Sequence, residues 1–144
     1  MNITIRVHKK TERVLIDVRN QTKLHRKGII KAFSEIGQLV GDETKRIIES
    51  GSRTGRLYKF NGRSHVASAF GEAPADRSGK LKKSYRYMRN GSSSMRVGET
   101  ASYAKFLEDG TRRMKPRQHL ILAINNKSGD AVRAFYRYGS EAIK

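Results

Sequence analysis

From Thr22 to Glu49, apolar side chains return every three or four residues: Ile29, Phe33, Ile36, Val40 and Ile47, with Ile30 and Ile48 beside them. That period winds a single stripe along a helix and predicts one long amphipathic helix over roughly residues 22–49. Gly28, Gly37 and Gly41 interrupt it. Each weakens an isolated helix by about 1 kcal/mol relative to Ala, so their presence points to a neighbour packed closely against the helix. Ser50-Gly51-Ser52 ends the segment. A helix of this length must bury its stripe, and the rest of the chain has to supply the surface that covers it.

That surface is expected to be a sheet. Ile3, Ile5 and Val7 alternate with polar residues, and Arg13-Val-Leu-Ile-Asp-Val18 reads as a second strand, with His8 to Glu12 as the turn of an N-terminal hairpin. A second hairpin is expected from residues 81–89 and 94–98 around Asn90-Gly91-Ser92-Ser93, with Tyr85 and Tyr87 turned to the core and Arg86 outside. Residues 51–80, rich in Gly, Ser and Arg, read as a long mobile loop with at most one short strand near Ser64–Ala69. Tyr103, Phe106 and Leu107 fit a short helix that stops at Gly110, with Tyr103 and Phe106 expected in the core. A last helix is expected from near Arg117, interrupted at Asn125–Asp130, carrying Leu120, Ile124, Ala131, Phe135 and Tyr138. The fold class is α+β, an antiparallel β-sheet with an N-terminal hairpin, one long amphipathic helix, a short helix and a C-terminal helix packed on it. At 144 residues, one domain over 1–144 is the expectation.

Charge narrows the function classes. Lys and Arg number 31 against 13 Asp and Glu, a formal net charge of +18. Three windows lack acid altogether: 50–71 with Arg53, Arg56, Lys59 and Arg63, 77–98 with Lys82 and Lys83 among its cations, and 110–129 with Arg112 and Arg113. Such windows attract phosphate backbones without regard to sequence, so a sequence-independent nucleic-acid-binding protein is one reading, with those eight cations as its DNA-facing residues. Aromatic rings interleave with cations at Tyr58-Lys59-Phe60 and Tyr85-Arg86-Tyr87, a pattern that can stack bases, but core packing is the stronger reading, since alternation on a strand over 81–89 alone turns both tyrosines inward. The longest apolar run, Leu120–Ile124, is far below the roughly 20 residues of a membrane-spanning helix. The start of the chain lacks the features of a secretory signal, so a soluble protein of cytoplasmic origin with no membrane partner is expected.

Catalytic signatures are missing from the sequence. No Cys is present, which excludes disulfides, thiolate catalysis and Cys-ligated zinc. His8, His25, His65 and His119 never lie three or four residues apart, so no helical metal pair forms. Glu108-Asp109 and Asp42-Glu43 read as helix-end and turn residues. Gly62-Arg63-Ser64 lacks a nucleophile elbow, and Ser78-Gly79-Lys80-Leu81 lacks the first Gly and the hydroxyl of a phosphate loop. No catalytic, metal or cofactor site is expected.

Two stretches carry a resemblance. The first runs Thr54-Gly55-Arg56-Leu57-Tyr58, then Gly62 to Ala75 with Gly71, Glu72 and Pro74, then Ser78-Gly79-Lys80-Leu81. The second runs Val97-Gly98, Tyr103-Ala104-Lys105-Phe106-Leu107-Glu108-Asp109-Gly110-Thr111 and Pro116-Arg117-Gln118-His119-Leu120. In order and spacing these resemble the neck or tail-completion proteins of long-tailed bacteriophages, also labelled tail-component or head-tail joining proteins. One departure stands out: Arg117-Gln118-His119-Leu120 replaces the family's Arg-Pro-Phe-Leu. The resemblance implies a non-enzymatic structural protein of the virion, formed in the host cytoplasm and assembled as a homo-oligomeric ring. Its partners would be the head connector or head-completion protein and the tail-terminator or tail-tube protein, with non-specific DNA contact. It assigns assembly roles to Gly55, Leu57, Gly71, Glu72, Pro74, Gly79, Leu81, Tyr103, Ala104, Glu108, Gly110, Thr111 and Leu120. It also makes residues 51–80 a contact arm between subunits.

Overall fold

The computed structural model describes residues 4–10, 13–19, 26–91 and 94–140. Thr11 and Glu12 of the first expected turn, the helix start expected before Arg26, and Ser92 and Ser93 lie outside the described residues. Strands β1 (Thr4–Lys10) and β2 (Arg13–Arg19) form the expected hairpin. Helix α1 follows over Arg26–Ser50. Then come β3 (Leu57–Phe60) and β4 (Arg63–Val66), a short α2 (Lys80–Ser84), β5 (Tyr85–Asn90), β6 (Ser94–Glu99), α3 (Ala104–Asp109) and α4 (Leu120–Ser140). One sheet has the order β1-β2-β6-β5, antiparallel throughout, and β3 and β4 make a separate two-stranded sheet. The α+β class follows from these elements.

The helical stripe lands where its period places it. Ile29, Phe33, Ile36, Val40 and Ile47 are all buried with Met95 and Val97 of β6 and Leu120, Ala123, Ile124, Ala131, Ala134 and Phe135 of α4. Phe33 meets Phe135 edge to face, ring centres 5.3 Å apart, a geometry that adds attraction beyond buried area. Polar ties at the rim set how the two helices sit: Asn126 donates to Glu43 at 2.8 Å, and Arg137 pairs with Glu35 at 2.9 Å.

The glycines of α1 explain themselves by distance. A Cβ on Gly37 would lie 2.4 Å from the Tyr87 ring, and one on Gly41 would lie 2.6 Å from the ring of Tyr85. The Tyr85 hydroxyl donates to the Gly37 carbonyl at 2.8 Å. Both tyrosines therefore face α1 as the alternation predicted, although Tyr87, near the edge, stays partly open to solvent.

Three expectations need correction. Residues 51–80 hold two strands, because Phe60-Asn61-Gly62-Arg63 closes a two-residue hairpin with positive φ at Asn61 (48°) and Gly62 (72°), the pairing that Asn-Gly favours. Residues Leu81–Ser84 are helical and not part of a strand: Leu81 and Ser84, three apart, are buried together while Lys83 is exposed, and Lys83 N–H donates to the Gly79 carbonyl. Helix α4 begins at Leu120 and runs unbroken through Asn125–Asp130, where Asp130 pairs with Lys127 and Arg133 one turn away on either side.

Glycine substitutions test this packing. At Gly28 a Cβ would sit 2.5 Å from the Tyr138 carbonyl oxygen, whereas at Gly129 in α4 the nearest atom, 3.8 Å away, belongs to the flexible Arg133 side chain. Gly28→Ala should therefore destabilise by roughly 1–3 kcal/mol through overpacking, and Gly129→Ala should stabilise by up to about 1 kcal/mol through helix propensity. Urea unfolding of both variants measures the difference.

Candidate functional site

The residues singled out by the sequence gather in three places. The first is an arm built on the β3–β4 hairpin. Its base is clasped by Glu72, whose carboxylate accepts from the Thr54 N–H (3.0 Å), the Thr54 hydroxyl (2.5 Å) and the Ala69 N–H (2.6 Å). These bonds hold the Glu72 carboxyl below its ordinary value. Gly55 completes the base: its N–H donates to the Ala67 carbonyl at 2.9 Å, and a Cβ there would collide with Ala67 and Ser68 backbone. Beyond the clasp, Leu57, Tyr58, Phe60 and Phe70 are exposed, Phe70 by 73%. Arg53, Arg56, Lys59 and Arg63 share this exposure.

Cations from all three acid-free windows meet the arm's rings. Arg56 stands over Tyr58, Arg77 over Phe60 at 4.7 Å, and Lys115 over Phe70 at 5.7 Å, distances at which a ring face attracts a cation. Lys83, Arg112 and Arg113 are exposed, whereas Lys82 is held by Glu49 at 2.9 Å. The second gathering is a small hollow of about 220 Å³ where Pro74, Leu81 and Tyr103 come together beside Arg117. Gly79 adopts positive φ (72°) at the turn leading into it.

The third is a larger groove of about 710 Å³ between the β5–β6 edge, α3 and the start of α4, lined by Ala104, Glu108 and Leu120 among others. Tyr103 and Phe106, expected in the core, are 40% and 53% exposed instead. A six-residue helix has one face to bury, and α3 turns Ala104 and Glu108, four apart, inward. Gly110 then leaves the helix with φ 74° and ψ −178°, a conformation essentially reserved for glycine. Thr111 accepts the Arg113 N–H at its hydroxyl.

Beneath that groove lies a cluster that sequence reading missed. Glu108 accepts the backbone N–H groups of His119 (2.8 Å) and Leu120 (2.6 Å), capping α4 from a distant element. The fully buried His119 ring reaches Glu99 through Nε2 at 2.8 Å and Glu108 through Nδ1 at 2.9 Å. Burial alone would lower the imidazole pKa, but the two carboxylates outweigh it and raise it to about 10. Burial would likewise raise Glu108, and its bonds from His119 and Leu120 bring it below the ordinary value. The signal available in the sequence was the departure itself, His119 where the resembling family has Phe. Among the described residues no group of three or more His, Cys, Asp or Glu is disposed to hold a metal ion, and His119 has both nitrogens engaged in holding α4.

The signs of these shifts give a pH dependence. The His119 contribution is complete below its ordinary 6.5 and is lost as pH rises through about 10. The Glu108 contribution is present above its ordinary 4.5 and is lost as pH falls through the lowered value. Thermal stability should therefore be greatest near neutrality and decline on both sides. His119→Phe leaves two buried carboxylates without their cation and should cost about 3–5 kcal/mol at pH 7. The penalty should shrink toward acid, where the carboxylates can be protonated, and melting curves across pH 3–10 read both limbs.

Comparison with known proteins places this geometry. Neither a curated protein nor a solved structure matches the chain. The HK97-gp10-like family, described as "Bacteriophage HK97-gp10, putative tail-component", matches residues 27–110. The match runs from the start of α1, through the Glu72-clasped arm and the β5–β6 hairpin, to Gly110 at the end of α3, more than half of the chain. This protein is a member of the HK97-gp10-like family of bacteriophage tail components.

Proposed function

We propose that this protein is a non-enzymatic neck component of a tailed phage or prophage that, as a homo-oligomeric ring, joins the head connector to the tail. The observation that carries the reading is the arm. It exposes three of the four β3 side chains as large apolar groups, Leu57, Tyr58 and Phe60, on a two-stranded sheet that packs no core of its own. A two-stranded hairpin is marginal alone in water, and apolar surface of this kind marks a contact with another protein. Its neighbours in the particle would be a head-completion protein on one side and a tail-terminator or tail-tube protein on the other. The buried Glu99–His119–Glu108 cluster fits a structural role, since its bonds hold the start of α4.

Because Tyr58 and Phe60 are half exposed, Tyr58→Ser combined with Phe60→Ser should cost folding no more than about 1–2 kcal/mol, the two ring–cation contacts included. Electron microscopy of lysates complemented with this variant should show separate heads and tails, while the parent chain restores joined particles. Joined particles from the folded variant would refute the arm's role.

Contact with DNA enters as a consequence of charge, favoured by the meeting of Arg56, Arg77 and Lys115 around the arm. Phosphate attraction through such cations should weaken steeply with salt and ignore base sequence. Fluorescence anisotropy with duplexes of unrelated sequence should give matching affinities at low salt and no binding at about 0.5 M, roughly three times physiological ionic strength.

A further inference from the structure

The β3–β4 arm presents apolar and cationic groups together on both of its faces. Alternation along the paired strands places Tyr58 and Phe60 on one face, with Arg63 opposite Phe60, and Leu57 and Lys59 on the other, all of them exposed. Arg53 and Arg56 precede these residues, and the window 50–71 holds no acid. Arg77 and Lys115 come in from elsewhere in the chain to stand over Phe60 and Phe70. Glu72, which adjoins the window, is taken up by its bonds to Thr54 and Ala69 at the arm's base. A guanidinium over a ring face keeps N–H donors for a carboxylate, so rings and cations together make a surface for acidic groups set around apolar ones.

The chain has no matching surface of its own. Among the described side chains, each carboxylate already has a partner within the same subunit. Glu35, Glu43, Glu49 and Asp130 pair with Arg137, Arg46, Lys82 and Arg133, and Asp42 pairs with Lys45. Asp76 accepts the Lys82 N–H, and Asp109 is engaged as well. Glu99 and Glu108 are buried against His119, in a groove that Arg86, Arg96 and Lys105 also line. A second copy therefore offers the arm no acidic patch among these residues. Nucleic acid matches the charge alone: a phosphate backbone would leave Leu57, Phe60 and Phe70 uncovered, and Arg56, Arg77 and Lys115 already stand over rings on which bases would have to stack. We propose that the arm docks on a different protein of the virion, its apolar side chains entering a socket ringed by Asp and Glu while Arg56, Lys59 and Arg63 meet those carboxylates. Aromatic and Arg groups are the side chains that anchor protein interfaces, and opposed charge selects the partner. This deepens the neck reading and rests on it, giving the arm to a neighbour of the ring and leaving contacts between copies to other surfaces.

Photo-cross-linking inside the particle tests this. Phe60, an exposed position, is replaced by the photoreactive aromatic p-benzoylphenylalanine, Leu57 likewise as a second site, with circular dichroism of the purified chains as the folding control. Joined particles complemented with each chain are purified and irradiated. They should yield a covalent product between this chain and another virion protein, and the linked segment of that protein should carry more Asp and Glu than Lys and Arg. Adding Lys59→Glu and Arg63→Glu to the photoreactive chain should reduce the product about tenfold or more, and replacing acids of the linked segment by Lys should restore it. Products that join two copies of this chain, adducts on the packaged DNA, or a linked segment without an acidic excess would each overturn the proposal and leave the neck position standing. So would a product undiminished by charge reversal, or joined particles that contain the chain but give no product from either site. Particles that lack the chain altogether would instead defeat the joining role itself, and this proposal with it.

Discussion

Helix α1 is wedged between α4 and the sheet, and its side-chain-free positions determine how close each neighbour comes. At Gly28 the backbone of α4 comes within the space of a missing Cβ, and at Gly37 and Gly41 the rings of Tyr87 and Tyr85 do the same. The contacts so allowed bury Ile29, Phe33, Ile36 and Val40 against α4 and β6. Buried apolar surface of this kind is the main favourable contribution to folding. The three glycines sacrifice helix propensity along α1, and the close approach they permit holds sheet and helices in register. The arm and the groove are both suspended from this frame, the arm by the segment leaving α1 and the groove by β5, β6 and α4.

The placement of α4 depends on a second constraint. Its N-terminal amides would be orphaned in the interior, and Glu108, from the end of α3, satisfies two of them. A carboxylate buried there is costly unless a cation compensates it, and His119, itself the residue before the helix, supplies that cation while binding Glu99 on β6. One cluster thus ties three elements together at the floor of the groove. Glu43 makes a comparable tie where the C-terminal half of α1 meets the first turns of α4, and bonds from Arg46 and Asn126 hold its carboxyl at about 2.

The arm follows the opposite logic. Its base is fixed by Glu72 and by the backbone bonds of Gly55 and Ala67, while the strands beyond it send apolar and cationic side chains outward. Surface apolar groups held on a firm base are suited to recognition, because little of the geometry has to be found at the moment of contact. Within a family of phage tail components, that arrangement is compatible with contact to other proteins of the virion.

The sequence by itself determined α1, the antiparallel hairpins of the main sheet, the α+β class and the family. Each rests on a local period, a turn signal or the order of short motifs, all of which survive in one dimension. Asn61-Gly62 carries a hairpin-turn signal as well, yet the Gly- and Ser-rich stretch around it reads as loop, and the two strands it joins came from the structure. Only the tertiary structure decided the rest. Tyr103 and Phe106 are as apolar as their spacing indicated, yet α3 has one face to bury and Ala104 and Glu108 took it. Lys80–Ser84 could have continued β5, but burying Leu81 against Ile48 and Ala104 required a helical turn. The meeting of Glu99, Glu108 and His119, drawn from three elements and separated by 9 to 20 positions, is a property of packing. An ion pair in low dielectric is fixed by distance in space, and no spacing along the chain encodes it.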